Sequence, residues 1–282
     1  MEISGWKYYN HAAIPTCAPH ETPDLTPIKD GTIWKMKGAP LLARWTTDWD
    51  CGYETNWWYE ICDRPLNIMD LKSDRRYKIN KGNKNFSVRE INPCEYAKSL
   101  YEVHTKAIES YPQKNRSYFT YENYSQYILN LENDERIKVY AAFFKETNKL
   151  CGFIIGTFHD QYFELTSQKA DPEYEKYQVN AAMVYGLLTD NAELLGRGIY
   201  CTDGERSINH ETNFQDYLEK YFGFRKAYCE LHIEYRSYCR LLVKMLYPFR
   251  KLLMLGDDFH FLHQINAVLQ METIVQGSTF WI

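Results

Sequence analysis

The segment Cys201-Thr-Asp-Gly-Glu-Arg-Ser207 sets Asp203, Glu205 and Arg206 just after a short run of strand character, where loops commonly carry chemistry. Two carboxylates and a guanidinium so placed can move a proton and hold a negative charge. Downstream, His210, Thr212, Asn213 and Asp216 open a helical stretch, where exposed backbone amides and a capping side chain can orient a carbonyl or a phosphate. Plain helix capping explains the same residues. Tyr228, Glu230 and His232 form the polar half of an alternating run whose apolar half is Ala227, Cys229, Leu231, Ile233 and Tyr235, so they line one face of a half-buried strand.

Two further concentrations invite a ligand. From Lys72 to Arg89 seven cations stand against one acid, Asp74, and among them Arg75, Arg76, Lys78 and Lys81 are candidates for phosphate contacts. A solvated helix face is the alternative. The stretch from Leu41 to Glu60 holds four of the seven tryptophans; Trp57 and Trp58 beside Asp50 suit a platform for a sugar or a base, and equally a plug packed on the main domain. Cys229 and His232 lie three apart on an extended strand and face opposite ways, so they do not share a zinc ion. His260 and His263 can share a helix face, but no third or fourth ligand follows at metal-site spacing, and neither a P-loop nor a dinucleotide-binding glycine pattern is present.

The elements that position these residues read as a mixed α+β chain. Residues 1 to about 70 show short strands and turns. A short basic helix runs from Ser73 to near Gly82, taken as its C′ residue, and a strand covers Phe86 to Ile91. Helices are expected over 93–110 and 121–132, then a hairpin of 137–144 and 150–158 across the Glu146-Thr-Asn-Lys turn, with a third strand near 161–166. A helix over 179–195, a short strand at 199–201, a helix from Thr212 to Gly223 and the alternating strand follow. Beyond Tyr238 the chain reads as helical, broken at Pro248.

Bulk properties narrow the classes. The 282 residues are 45% apolar and 25% charged with a net charge of −4, which fits a folded globular protein and not a disordered or wholly basic nucleic-acid-binding one. No apolar run approaches the roughly 20 residues that cross a bilayer, and no secretory leader pattern opens the chain; the cytoplasm is the expected compartment. Eight cysteines without a CxxC pair are expected as mostly buried, reduced thiols.

The order strand, two helices, antiparallel strands, helix, strand, helix ending in Tyr221-Phe-Gly-Phe224, strand resembles the GNAT N-acyltransferase superfamily over roughly residues 84 to 236. Trp45 to Trp58, Arg76-Tyr-Lys-Ile-Asn-Lys-Gly82 and Thr212-Asn-Phe-Gln-Asp-Tyr-Leu-Glu-Lys220 are similar to Fem-type peptidoglycan aminoacyltransferases associated with bacterial surface-glycan synthesis. The resemblance implies a GNAT-like central mixed sheet at 84–236, an aromatic N-terminal extension at 1–83 ending in the basic helix, and a C-terminal helical segment at 237–282. It implies transfer of an acyl or aminoacyl group to an amine or hydroxyl of a cell-wall or surface-polysaccharide precursor, and it places Glu164 where such proteins often carry a base.

The glycine-rich acetyl-CoA signature of ordinary GNAT enzymes is missing at Lys176-Tyr-Gln-Val-Asn-Ala-Ala-Met183, where Gln178 and Asn180 stand instead. The donor expected is therefore acyl-CoA or, as in Fem-type relatives, aminoacyl-tRNA. Expected catalytic residues are Glu164, Asp203, Glu205 and Tyr228. Expected binding residues are Asp50, Trp57, Trp58, Arg75, Arg76, Lys78, Lys81, Arg206, His210, Thr212 and Asn213, with no metal. Expected partners are a glycan or a nucleotide- or lipid-linked precursor and tRNA, with peripheral membrane contact. The alternatives are a non-catalytic module of the same fold that binds such a precursor, and a tRNA- or RNA-binding protein.

Overall fold

The computed structural model describes residues 1–208, 213–253 and 260–278. In chain order these form β1 (Trp6–Tyr9), β2 (Ala12–Pro15), α1 (Thr26–Lys29), β3 (Leu42–Thr47), β4 (Trp57–Cys62), α2 (Ser73–Asn85), β5 (Phe86–Ile91), α3 (Ala97–Glu109), α4 (Tyr121–Glu132), β6 (Ile137–Phe144), β7 (Lys149–Phe158) and β8 (Tyr162–Ala170). The chain continues as α5 (Val179–Asp190), α6 (Ala192–Gly196), β9 (Tyr200–Glu205), α7 (Phe214–Phe222), β10 (Arg225–Tyr235), α8 (Ser237–Leu246), α9 (Arg250–Leu253) and α10 (His260–Ser278). The fold is mixed α+β, in the GNAT-like order from β5 onward. No helix among the described residues is long and apolar enough to cross a membrane.

Contacts group the chain into two units. One comprises Glu60–Gly204 with Asn213–Arg225; the other gathers Met1–Tyr59, Glu205–Thr212 and Lys226–Ile282. A unit assembled from three stretches is held by strand pairing and by side chains distant in sequence.

In the Glu60–Gly204 unit the strands lie in the order β9-β8-β7-β6-β5. β5 to β8 are antiparallel neighbours, and β8 and β9, joined through α5, are parallel. β6 and β7 are buried along most of their length because each face of this sheet is covered. Ile79, Met183, Leu187, Leu218 and Phe222 fill one side with Tyr140, Ile154 and Phe163. Leu100, Val103, Tyr124 and Ile128 fill the other with Val139, Phe153 and Ile155. Such continuous apolar runs are what a doubly covered strand requires.

Gly82 is not the end of its helix. α2 runs on to Asn85, and a Cβ at Gly82 would lie 2.8 Å from the Gln178 carbonyl oxygen and 3.0 Å from the Ala182 nitrogen. The glycine lets α2 approach the first turn of α5 rather than terminating anything. The helix expected over 179–195 also divides, because the Asn191 amide donates to the Leu187 carbonyl at 2.8 Å and to the Tyr140 hydroxyl at 3.1 Å, pulling the chain out of register with α5. Gly223, at φ +72°, ends α7 as expected.

The second unit orders β1-β2-β3-β10. Its cores are small: Trp6, Ala13, Ile33 and Ala43 form one cluster, and Trp57, Cys229, Leu231 and Ile274 another. Pro248 sits in a 3-10 turn, Tyr247–Phe249, between α8 and α9. The proline breaks the helical run where its missing N–H requires.

Candidate active site

β8 and β9 pair over three positions only, Tyr162 to Glu164 against Tyr200 to Thr202, although β8 runs on to Ala170 and β9 to Glu205. A bulge near Ile155 and Gly156 of β7 shifts the register where Thr166 of β8 stands, and the Thr166 hydroxyl donates to the Ile155 carbonyl at 3.1 Å. Bulges bend strands and commonly sit beside active sites. The ladder therefore stops just after Glu164 and Thr202, and Asp203 is the next residue along β9.

Asp203 is a half-buried carboxyl at the end of this ladder. Burial pushes its pKa up to about 7; the Gln215 side chain on α7 donates to it and opposes the rise, and the Glu164 carboxylate adds to it. Among the described residues no cation lies within ion-pair reach of Asp203. A carboxyl near neutrality, oriented by an amide and next to a second carboxylate, can accept and return a proton at physiological pH. Beside it, the Thr202 hydroxyl donates to the Glu60 carbonyl at 2.9 Å and accepts from the Gly204 amide at 2.9 Å. Glu60 is fully buried on β4.

Half of the thiols are buried. All eight cysteines are free; Cys62, Cys151, Cys201 and Cys229 are buried, and the rest are half-buried. Burial pushes the Cys62 thiol up to about 11 and the Cys201 thiol well above its ordinary value, so they stay protonated near pH 7.

The cationic helix α2 belongs to the same unit. The Arg76 guanidinium donates to the Met69 carbonyl at 3.2 Å. The Lys78 ammonium sits 4.6 Å from the Tyr221 ring centre and, by hydrogen bonding, holds the Tyr221 phenol below its usual range. Lys81 lies 6.0 Å from the Tyr77 ring, and the Arg75 Nε is buried without a hydrogen-bond partner. Gln178 adopts φ +68° at the head of α5, and the Asn180 side-chain oxygen accepts from Gln168 at 2.8 Å.

The remaining candidates lie in the other unit. Glu205 forms an ion pair with Arg44, and although burial pulls the Arg44 guanidinium down, Glu205 holds it above its ordinary pKa. Burial and then Glu205 push the Tyr59 phenol up. Glu205 is thus committed to a local charge pair. Arg206 donates to the Asn56 carbonyl at 2.5 Å and lies 4.6 Å from the Trp58 ring, while the Lys226 ammonium lies 4.7 Å from that ring. Tyr228 meets Trp58 edge-on at 6.2 Å.

Trp58 is therefore a surface used by two cations, whereas Trp57 is 1% exposed among Cys229, Leu231 and Ile274 and its ring is taken up by the core. Asp50 is exposed at φ +51° in the turn between β3 and β4. Asn213 is the N-cap residue of α7, though its side chain makes no capping bond. His210 and Thr212 lie outside the described residues.

Arg206 also opens into a cavity of about 350 Å³, lined on its polar side by Arg206, Arg250, Lys251 and Asn266. Ile208 and Leu269 belong to its apolar wall. Among the described residues no carboxylate is in the lining and none is within ion-pair reach of Arg206, whose pKa burial lowers. A cavity of this size lined by three cations fits an anionic small group such as a phosphate. Gln215, Arg250 and Lys251 were not legible as site residues. Gln215 stands in the first turn of α7 between Asn213 and Asp216, where it reads as a plain helix residue, and the Arg250-Lys251 pair follows a helix-breaking proline with no motif around it.

No family model matches the sequence, and no curated protein matches it. Among solved structures, FemX is similar over 79% of this chain and 81% of its own, at 10% identity and a TM-score of 0.53. L-PGS from Bacillus licheniformis is similar over 87% of this chain and 84% of its own, at 12% identity and a TM-score of 0.52. A conserved protein of unknown function from Bacteroides thetaiotaomicron VPI-5482 covers 79% and is covered over 78%, at 14% identity and a TM-score of 0.51. At these identities the likeness is one of fold, and the fold they share with this chain is the GNAT-like mixed αβ arrangement.

Proposed function

We propose that the protein transfers an acyl or aminoacyl group to an amine or hydroxyl acceptor, with Asp203 as the group that takes the acceptor's proton. The observation that carries this reading is the Asp203 carboxyl, held near pH 7 by burial and oriented by Gln215 where the β8–β9 ladder ends. The acceptor's lone pair attacks the acyl carbonyl as Asp203 removes its proton; the tetrahedral intermediate collapses, and the same carboxyl returns the proton to the leaving group. Glu164 tunes Asp203 by repulsion; in the other unit, the Arg206, Arg250 and Lys251 cavity is read by itself as a place for an anionic group.

Aminoacyl-tRNA is the donor this reading favours over acyl-CoA. Gly82 packs α2 against the turn where a pyrophosphate loop would stand, and α2 supplies Arg75, Arg76, Lys78 and Lys81 for backbone phosphates. The acceptor is read as a cell-wall or surface-polysaccharide precursor from the Fem-type resemblance. The test is transfer of label by the full chain from charged tRNA, or from acetyl- and longer acyl-CoAs, to muropeptide and nucleotide-sugar acceptors. Transfer that falls on Asp203→Asn with folding intact supports the reading. Transfer from CoA species alone would reverse the donor assignment. No transfer from any donor, with a thermal shift from the acceptors only, would overturn catalysis in favour of the precursor-binding module.

A further inference from the structure

α8 and α9 leave six large apolar side chains in water. Tyr238, Leu241, Leu242, Met245, Phe249 and Leu252 are each 52% to 66% exposed. Their spacing of three, one, three, four and three residues places them along one side of a helical path that continues through the Pro248 turn. The opposite side is already covered, since Cys239 and Val243 pack with Tyr235 and with Val268 and Met271 of α10. The helix therefore has its core face buried and carries a second apolar stripe that no described residue covers. Contiguous exposed apolar surface of this kind marks a docking site.

The charges beside the stripe choose the partner. Between residues 236 and 256 the chain carries Arg236, Arg240, Lys244, Arg250 and Lys251 and no aspartate or glutamate. Among these, Arg240 pairs with Glu234 at the end of β10, and Arg236 and Arg250 lie over the rings of Tyr238 and Tyr247 at 5.6 and 4.2 Å. A second copy docked on this stripe would set the same cations against one another, which opposes association. A sheet of anionic headgroups over acyl chains matches both properties at once, taking the apolar side chains below and the cations at the phosphates.

We propose that α8 and α9 dock the protein on the surface of an anionic lipid bilayer, lying in the interface rather than crossing it. The inference rests on the exposed stripe and its charges and stands whether or not the transferase reading holds.

The test is flotation of the full chain with phosphatidylcholine vesicles made with and without phosphatidylglycerol. Binding to the anionic vesicles should exceed binding to the neutral ones by at least about tenfold and weaken in high salt. Leu242→Ser with Met245→Ser should lower it by about tenfold or more. Lys244→Glu, which leaves the stripe intact, should lower it severalfold, and it keeps the test decisive if the double variant melts early. Absent binding, equal binding to both vesicles, or a dimer in sedimentation equilibrium that the double variant dissociates without vesicle binding would each overturn the proposal.

Discussion

Asp203 and Arg206 stand three residues apart in the chain, and each loses water without gaining an opposite charge among the described residues. Burial moves them in opposite directions. The carboxyl rises to about 7 and becomes a group that changes charge at working pH, while the guanidinium falls from a value so high that it stays charged. One ion without an opposite charge among the described residues makes a proton acceptor; the other makes a standing demand for an anion. The unit of Asp203 holds the first at the end of a strand ladder, and the unit of Arg206 holds the second at a cationic cavity.

The largest effect that can break this contrast is on stability against pH. A carboxyl with a raised folded pKa binds its proton more tightly in the native state, so its contribution is full below the unfolded value of 3.8 and is lost as pH rises through about 7. At about 1.4 kcal/mol per pKa unit, that loss is up to roughly 4 kcal/mol. Urea melts at pH 4.5 and 8 should show the wild type weakening with rising pH and Asp203→Asn weakening much less. Equal slopes would mean that Asp203 is not held protonated by its site.

Next in size is turnover. Asp203→Asn keeps the shape and the Gln215 neighbourhood but removes the proton acceptor, and transfer should drop by about 10² or more with the fold retained, as measured by circular dichroism and label transfer. In the wild type, kcat/KM should rise with pH through an inflection near 7, which the variant lacks.

On the other side of the contrast, Arg206→Ala should weaken inorganic pyrophosphate binding by about tenfold in calorimetric titration, since it removes one of the three cations among the described lining residues. The smallest effect expected is at α2. Arg75→Ala with Arg76→Ala should lower tRNA affinity severalfold and make the salt slope shallower by about two phosphates. A larger loss at α2 than at Arg206 would relocate the anion site to the basic helix.

Those two cationic regions show what charge density conceals. In the sequence the stretch around α2 is the conspicuous one, with seven cations from Lys72 to Arg89 near one acid, yet Arg76 and Lys78 are engaged with Met69 and Tyr221. The cations of α9 are fewer and follow a proline, yet they line a cavity beside an apolar stripe. A count along the chain records charge and says nothing of what stands opposite each group.

Periodicity determined much of the fold by itself. The alternation from Ala227 to Tyr235, the apolar faces of α3, α4 and α7, the hairpin across Glu146 to Asn148 and the break at Pro248 follow from where Cβ atoms point in strands and helices. Local rules also set the αL end at Gly223. They failed at Gly82 and Asn191, where the deciding contacts are with Gln178, Ala182 and Tyr140, each tens of residues away. Asp203 and Glu205, two residues apart and alike on paper, were separated in the same manner.

Only the tertiary structure decided that Glu205 meets Arg44 while Asp203 meets Gln215 and Glu164. The residue types and their local geometry are properties of the chain. The solvation and the neighbours that set a carboxyl's proton affinity come from segments that folding brings together, and those no spacing records.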